Sequence, residues 1–101
     1  MTNAYDSSTI SATAVVEALH EHGITHAVWL PDSETNYLYE LMTAQPWLEI
    51  VPSAREGETF AIALGLIIGG KKPVCLIQNT GMLESGDSIR GMAIDSGFPL
   101  V

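Results

Sequence analysis

Apolar residues recur along this chain in two alternating periods. Ala12, Val15, Val16 and Leu19 stand at i, i+3, i+4 and i+7, the spacing of an amphipathic helix. Ser11 is placed to cap its start, and Gly23 to end it as the C′ residue. The next run, His26-Ala27-Val28-Trp29-Leu30, is almost continuously apolar, which predicts a strand in a sheet covered on both faces. Pro31 stops it. Asp32 or Ser33 then caps a second helix over 34–44, with Tyr37, Leu38, Leu41 and Met42 turned inward, and Gln45-Pro46 ends it. A second strand covers 48–51, and its charged Glu49 suits a sheet edge. A third helix follows over 58–68 and a turn over 69–72. Pro73 opens a strand over 74–77, and 78–86 reads as a loop. A last helix spans 87–96, with Ile89, Met92 and Ala93 as its apolar face, before 97–99 turn into Leu100-Val101, the start of a fourth strand. Strands alternating with helices predict parallel βαβ units. Right-handed crossovers put helices on both sides of the sheet. The expected fold class is therefore α/β: a three-layer α/β/α domain whose parallel sheet places the strand at Val28 between those at Ile50 and Leu76.

The helix over 58–68 breaks the amphipathic pattern. Glu58 and Thr59 are its only polar side chains, and Phe60, Ile62, Leu64, Leu66, Ile67 and Ile68 leave no wide polar face. Such a helix is buried all round or spans a membrane, and the run is too short to span, since a bilayer needs about 20 apolar residues. Ala61, Gly65 and Gly69 fall four apart on one stripe, which permits close approach of another backbone. We expect a partner chain, or further sequence, against that stripe.

Composition points the same way. The 101 residues make one domain: residues 1–10 are expected to form a disordered tail and residues 11–101 the folded part. The chain is 47% hydrophobic and only 16% charged, which leaves little for solvated surface. A net charge of −8 with four Lys and Arg residues provides no basic patch for nucleic acid or for an anionic membrane. No signal-peptide pattern opens the chain, so a cytoplasmic location is the default expectation. The single Cys75 lies in a predicted strand and reads as a small buried hydrophobe. His20 and His22 are two apart and point to different helix faces, so HEHGITH is not expected to hold a metal.

The chemistry gathers where the second strand gives way to the apolar helix. Ser53-Ala54-Arg55-Glu56 fits a capping box, Ser at N-cap and Glu at N3, and on that reading Glu56 closes the cap and complements the helix dipole. The other reading is a carboxylate at the C-terminal end of a parallel strand, where open α/β sheets bind ligands. Asp32 has the same two readings after the first strand: helix N-cap, or a polar group facing a ligand.

Arg55-Glu56-Gly57, Gly65 nine residues after that Glu, Pro73-Val74 and Gln78-Asn79-Thr80-Gly81 form an ordered set. It resembles the pyrimidine-binding domain of thiamine-diphosphate enzymes, and most of all that of the sulfopyruvate and phosphonopyruvate decarboxylases. Leu30-Pro31-Asp32-Ser33 resembles the first strand-to-helix turn of the same group, and the similarity runs from about Ser11 to the end. The resemblance implies the flavodoxin-like strand order of the thiamine-diphosphate-binding fold, incomplete at the C-terminus. It implies that Glu56 hydrogen-bonds the pyrimidine N1′ and favours the imino tautomer, whose nitrogen takes the thiazolium C2 proton. That chemistry needs a carboxylate in a dry pocket, able to hold or share a proton. Gln78, Asn79, Thr80 and Gly81 become a cofactor-facing loop, and Asp32 a substrate-facing group at the mouth of the site. Arg90 becomes the cation for a 3-sulfonate or 3-phosphonate, while Lys71 and Lys72 lie at the wrong end of the sheet.

In the family the diphosphate and Mg²⁺ are held by a Gly-Asp-Gly pattern with a following Asn, on a second domain. Ser85-Gly86-Asp87-Ser88 lacks both the preceding strand and the Asn spacing. The chain is thus expected to supply no metal ligand and only the pyrimidine half of a thiamine-diphosphate site. A diphosphate-binding domain or β subunit would supply the rest in a homo- or hetero-oligomer acting on a small 2-oxoacid. The alternative is a non-catalytic flavodoxin-like domain for nucleotide binding or assembly. The presence of Glu56, and of LPDSETN where a glycine-rich phosphate loop would stand, speaks against it.

Overall fold

Ser11 starts the helical structure as the pattern predicts. Its backbone is extended and its Oγ accepts the Ala14 N–H at 3.3 Å, opening helix α1 (Ala12–Glu21). The helix closes at His22 and Gly23, whose φ of 75° is the left-handed C′ geometry glycine allows. The structure, a computed structural model, describes residues 10–101. Apart from Ile10, the tail expected over residues 1–10 lies outside the described residues.

Strands β1 (His26–Trp29), β2 (Glu49–Pro52) and β3 (Pro73–Leu76) form an all-parallel sheet in the order β2-β1-β3, as predicted. Val28 pairs with Val51 on one side and Cys75 on the other, and Trp29 with Pro52 and Leu76. The three strands therefore end in line, and whatever follows each of them leaves the sheet at one common edge. Glu49 is exposed on the outer strand.

One face carries the larger core. Ala27 and Trp29, two residues apart on β1, pack with Val16, Ile24, Leu38, Met42, Leu48 and Val74. Trp29 is fully enclosed and its Nε1–H donates to Thr35 Oγ1 at 3.0 Å. The second helix is shorter than expected: a 3₁₀ turn (Asn36–Leu38) leads into α2 (Tyr39–Thr43). Leu38 and Met42 are buried, but Tyr37 is 46% exposed, because tighter 3₁₀ winding turns it off the inward face. His20 stacks on Trp47, ring centroids 4.2 Å apart, and His26 Nε2 lies 3.6 Å from Glu49 Oε1. No three His, Cys, Asp or Glu side chains cluster as a metal would need among the described residues.

The opposite face presents Val28 and Cys75 to helix α3 (Glu56–Ile68), where Thr59 and Ala63 are buried. Cys75 Sγ lies 3.6 Å from the Thr59 carbonyl oxygen, and burial pushes its thiol above the ordinary value of 9.0. Two further helical pieces pack on α3: α4 (Asn79–Glu84), and α5 (Gly86–Ser88) continued by a π-helical segment (Ile89–Asp95). This corrects two expectations. The stretch read as a loop over 78–86 is helical from Asn79, since packing on α3 outweighs the low helix propensity of Asn, Thr and Gly. The helix expected over 87–96 is mostly wound one residue wider per hydrogen-bonded turn. Leu100 and Val101 do not form a strand, although Val101 O accepts the Cys75 N–H of β3 at 2.7 Å.

Outward from the sheet, α3 is bare. Ala61, Gly65, Ile68 and Gly69 are exposed, and a Cβ on Gly65 would meet nothing within 4 Å. No described helix is long and apolar enough to cross a membrane.

Candidate active site

The common C-terminal edge of the sheet carries Asp32 beyond β1, Glu56 beyond β2 and Gln78 beyond β3. The chain passes from β1 to β2 on one side and then to β3 on the other. This edge is therefore a topological switch point, where open α/β sheets form their ligand crevice.

Glu56 does not close the helix cap. The N-cap is Arg55, with extended backbone, and Glu56 is the first helical residue. The capping carboxylate is Glu58: its Oε1 accepts the Ala54 N–H at 2.9 Å and the Ser53 hydroxyl at 2.9 Å, while Ser53 Oγ also lies 2.8 Å from Arg55 O. The Ala54 N–H first, and then the Ser53 hydroxyl, hold the Glu58 carboxyl below its ordinary value of 4.5. The box is thus shifted by two residues from the Ser53–Glu56 pairing expected of the sequence. With the cap served by Glu58, the Glu56 carboxylate has no hydrogen-bond partner among the described residues. Only the Glu56 main chain is engaged, its carbonyl accepting the Thr59 hydroxyl at 2.7 Å.

The half-buried Glu56 side chain lies against the α carbon of Gly81, in the first turn of α4. A Cβ at Gly81 would fall onto Glu56 Cγ and Cδ and come within 2.8 Å of its Cβ, so glycine alone fits opposite this carboxylate. Gln78 is the N-cap of α4 and its side chain makes no capping bond; Asn79 and Thr80 follow, exposed, in the first turn.

Asp32 does cap the following turn. Its Oδ1 accepts the N–H groups of Glu34 at 2.8 Å and Thr35 at 2.9 Å. Its Oδ2 is buried with no partner, the one such side-chain atom among the described residues. A buried acceptor left without a donor costs about 1–3 kcal/mol, so a water or a ligand donor is favoured there.

Arg90 stands apart. Its exposed guanidinium is held by Asp87 Oδ1 at 2.8 Å and Asp95 Oδ2 at 2.7 Å, which raises its already high basicity, Asp87 contributing most. The side chains of Asp87 and Asp95 thus occupy the cation expected to meet an anionic substrate. Ser85 was not foreseen. It is buried, donates from its hydroxyl to Gly81 O at 2.6 Å, and packs with Ser88 against the α carbon of Gly57. The only sequence signal was its place in SGDS, which reads as a failed phosphate motif.

A parallel sheet in this order, with a carboxylate at its switch edge that has no hydrogen-bond partner among the described residues and is seated on a glycine, defines an α/β domain with a candidate ligand crevice. The chain belongs to the thiamine pyrophosphate enzyme N-terminal TPP-binding domain family, which it matches over residues 11–101. It is 34% identical over 83 residues to the sulfopyruvate decarboxylase subunit alpha of Methanothermobacter thermautotrophicus, covering 82% of this chain and 48% of that protein. Against the same subunit of Methanocaldococcus jannaschii it is 31% identical over 80 residues, 79% of this chain and 46% of that one. A 2-succinyl-5-enolpyruvyl-6-hydroxy-3-cyclohexene-1-carboxylate synthase of Geobacillus kaustophilus is 33% identical over 76 residues, 75% of this chain but 13% of that protein. The chain thus spans about half the length of the decarboxylase subunits it matches.

Proposed function

We propose that this chain forms the pyrimidine-binding half of a cytoplasmic thiamine-diphosphate-dependent 2-oxoacid decarboxylase and that Glu56 activates the cofactor. The observation that carries this is the transfer of the capping role to Glu58, which leaves the Glu56 carboxylate unengaged at the switch edge, seated on Gly81. The residues present fit a pyrimidine: a carboxylate without a hydrogen-bond partner among the described residues, a glycine whose bare α carbon seats that carboxylate, and an amide pair at Gln78 and Asn79 not spent on capping.

Bound thiamine diphosphate supplies an acidic thiazolium C2–H and the electron sink that 2-oxoacid cleavage needs. Glu56, the first helical residue of α3, would hold and return a proton at the pyrimidine N1′. Gln78, Asn79, Thr80 and Gly81 would line the side of the ring. Asp32, its Oδ2 unmet, faces the substrate at the mouth and can accept or hold a proton there. Asp87 and Asp95 compete with a substrate anion for Arg90. The diphosphate and Mg²⁺ belong to a partner domain or β subunit, as the alpha-subunit relatives suggest, and the bare side of α3 is where that assembly would bury apolar surface.

Titration with thiamine diphosphate and Mg²⁺ tests this proposal. The chain alone should bind weakly and show no 2-oxoacid cleavage, and adding a diphosphate-binding companion chain should give tight binding and cleavage. Equal binding by the chain alone and with its companion would contradict it.

A further inference from the structure

Two serines and two glycines join the start of α3 to α4 and α5. Ser85 sits at the junction of α4 and α5 and is 5% exposed. All three of its polar groups are spent within this junction. Its N–H donates to Met82 O at 3.1 Å, its carbonyl accepts the Ile89 N–H at 2.9 Å, and its hydroxyl donates to Gly81 O at 2.6 Å. Its Oγ also stands 3.5 Å, and Ser88 Oγ 3.2 Å, from where a Cβ of Gly57 would be. Gly57 is the neighbour of Glu56, and Gly81 is the residue against which the Glu56 side chain rests. One buried hydroxyl therefore bonds Gly81, against which the Glu56 side chain rests, and lies beside the open face of Gly57, the next residue in the first turn of α3.

We infer that Ser85 is a positioning residue for Glu56. It pins the Gly81 carbonyl and the first turn of α3 at one spacing, and the Gly81 α carbon then limits the Glu56 side chain to the orientation that faces the switch edge. The inference rests on the role proposed for Glu56. Its chemistry is specific: a donor is needed at position 85 and the absence of a Cβ at position 81. Ser85→Ala removes the donor and leaves a buried carbonyl unmet. Gly81→Ala puts a methyl group into the space of the Glu56 side chain.

The test has two readouts. In the cofactor-free chain, a nuclear Overhauser contact between Glu56 Hγ and Gly81 Hα reports the seating directly. In the enzyme reconstituted with its diphosphate-binding companion, thiamine diphosphate and Mg²⁺, the C2 proton-exchange rate of the cofactor reports its consequence. Ser85→Ala is expected to lose the Overhauser contact and to slow exchange on the order of 10-fold to 100-fold, the cost of a group misplaced by about 1 Å, with cofactor affinity unchanged. Gly81→Ala should slow exchange likewise, and Ser85→Ala on top of Glu56→Gln should slow it no further. Retention of both the contact and wild-type exchange in a folded Ser85→Ala protein would overturn the inference. If that variant does not fold, wild-type exchange in Gly81→Ala would overturn it instead. Wild-type exchange in Glu56→Gln would refute the role of Glu56 itself, and the cofactor-free contact would still decide whether Ser85 sets its position.

Discussion

Glu56 and Glu58 share the first turn of α3, yet the structure gives them opposite tasks. Glu58 reaches back to Ala54 and Ser53, while Glu56 turns toward Gly81. A pattern search sees Ser53 three residues before Glu56 and stops there; the spacing alone cannot show that the helix starts later, at an Arg55 with extended backbone. Nor does any local pattern contain the contact of Glu56 with Gly81, 25 residues on in sequence (81 minus 56). A pH dependence follows. The carboxyl of Glu58 is held below its ordinary value of 4.5 in the folded chain, so its stabilising contribution is complete above that value and is lost as pH falls through the lowered one. Thermal unfolding of Glu58→Gln should show a lower midpoint than wild type at neutral pH, with the gap narrowing as the pH falls below 4.5. A gap that stays constant down to pH 2 would show that Glu58 is not the cap.

At the scale of elements, strand order and parallel direction were legible because each apolar run of β-type was followed by a helical period, and the connections left few topologies. Elements whose winding depends on what they pack against were not legible. Gly81 and Gly86 read as loop residues, but Gly81 lies within α4, where its bare α carbon leaves room for the Glu56 side chain. The π segment brings Arg90 and Asp95 together at a spacing of five residues, a pair that α-helical spacing would separate. The bareness of α3, in contrast, was readable from its lack of a polar face. Gly65→Leu gives a prediction with two signs. In the chain alone nothing stands within 4 Å of the new side chain, and a better helix former replaces glycine, so stability should rise by about 1 kcal/mol. Association through that stripe should weaken. Denaturant unfolding and sedimentation with the companion chain measure the two effects, and unchanged association would show that the stripe is not the contact.

Across the whole molecule, the two faces of the sheet divide the work. The α1 and α2 side holds the larger core, with Trp29 and Met42 fully enclosed. The α3 side holds the candidate site and has the smaller core. Met42→Ala should therefore cost about 2–5 kcal/mol of stability and, below its unfolding temperature, leave cofactor C2 exchange in the assembled enzyme unchanged. A proportional loss of exchange in the folded variant would mean that the layers are coupled. The family was readable from the ordered motifs around Glu56, and the match over residues 11–101 bears it out. The ion pairs that occupy Arg90 were not readable, since they depend on the π winding.

The central claim is that Glu56, relieved of the cap by Glu58, is the carboxylate that activates the cofactor. Its most direct measurement is the C2 proton-exchange rate of thiamine diphosphate in the reconstituted enzyme, compared between Glu56→Gln and Glu58→Gln. The predicted result is a fall on the order of 100-fold or more for Glu56→Gln, the scale of a lost general acid–base group, with thermal stability retained. Glu58→Gln should exchange close to the wild-type rate while melting lower. Wild-type exchange in Glu56→Gln, or the larger loss in Glu58→Gln, would contradict the claim.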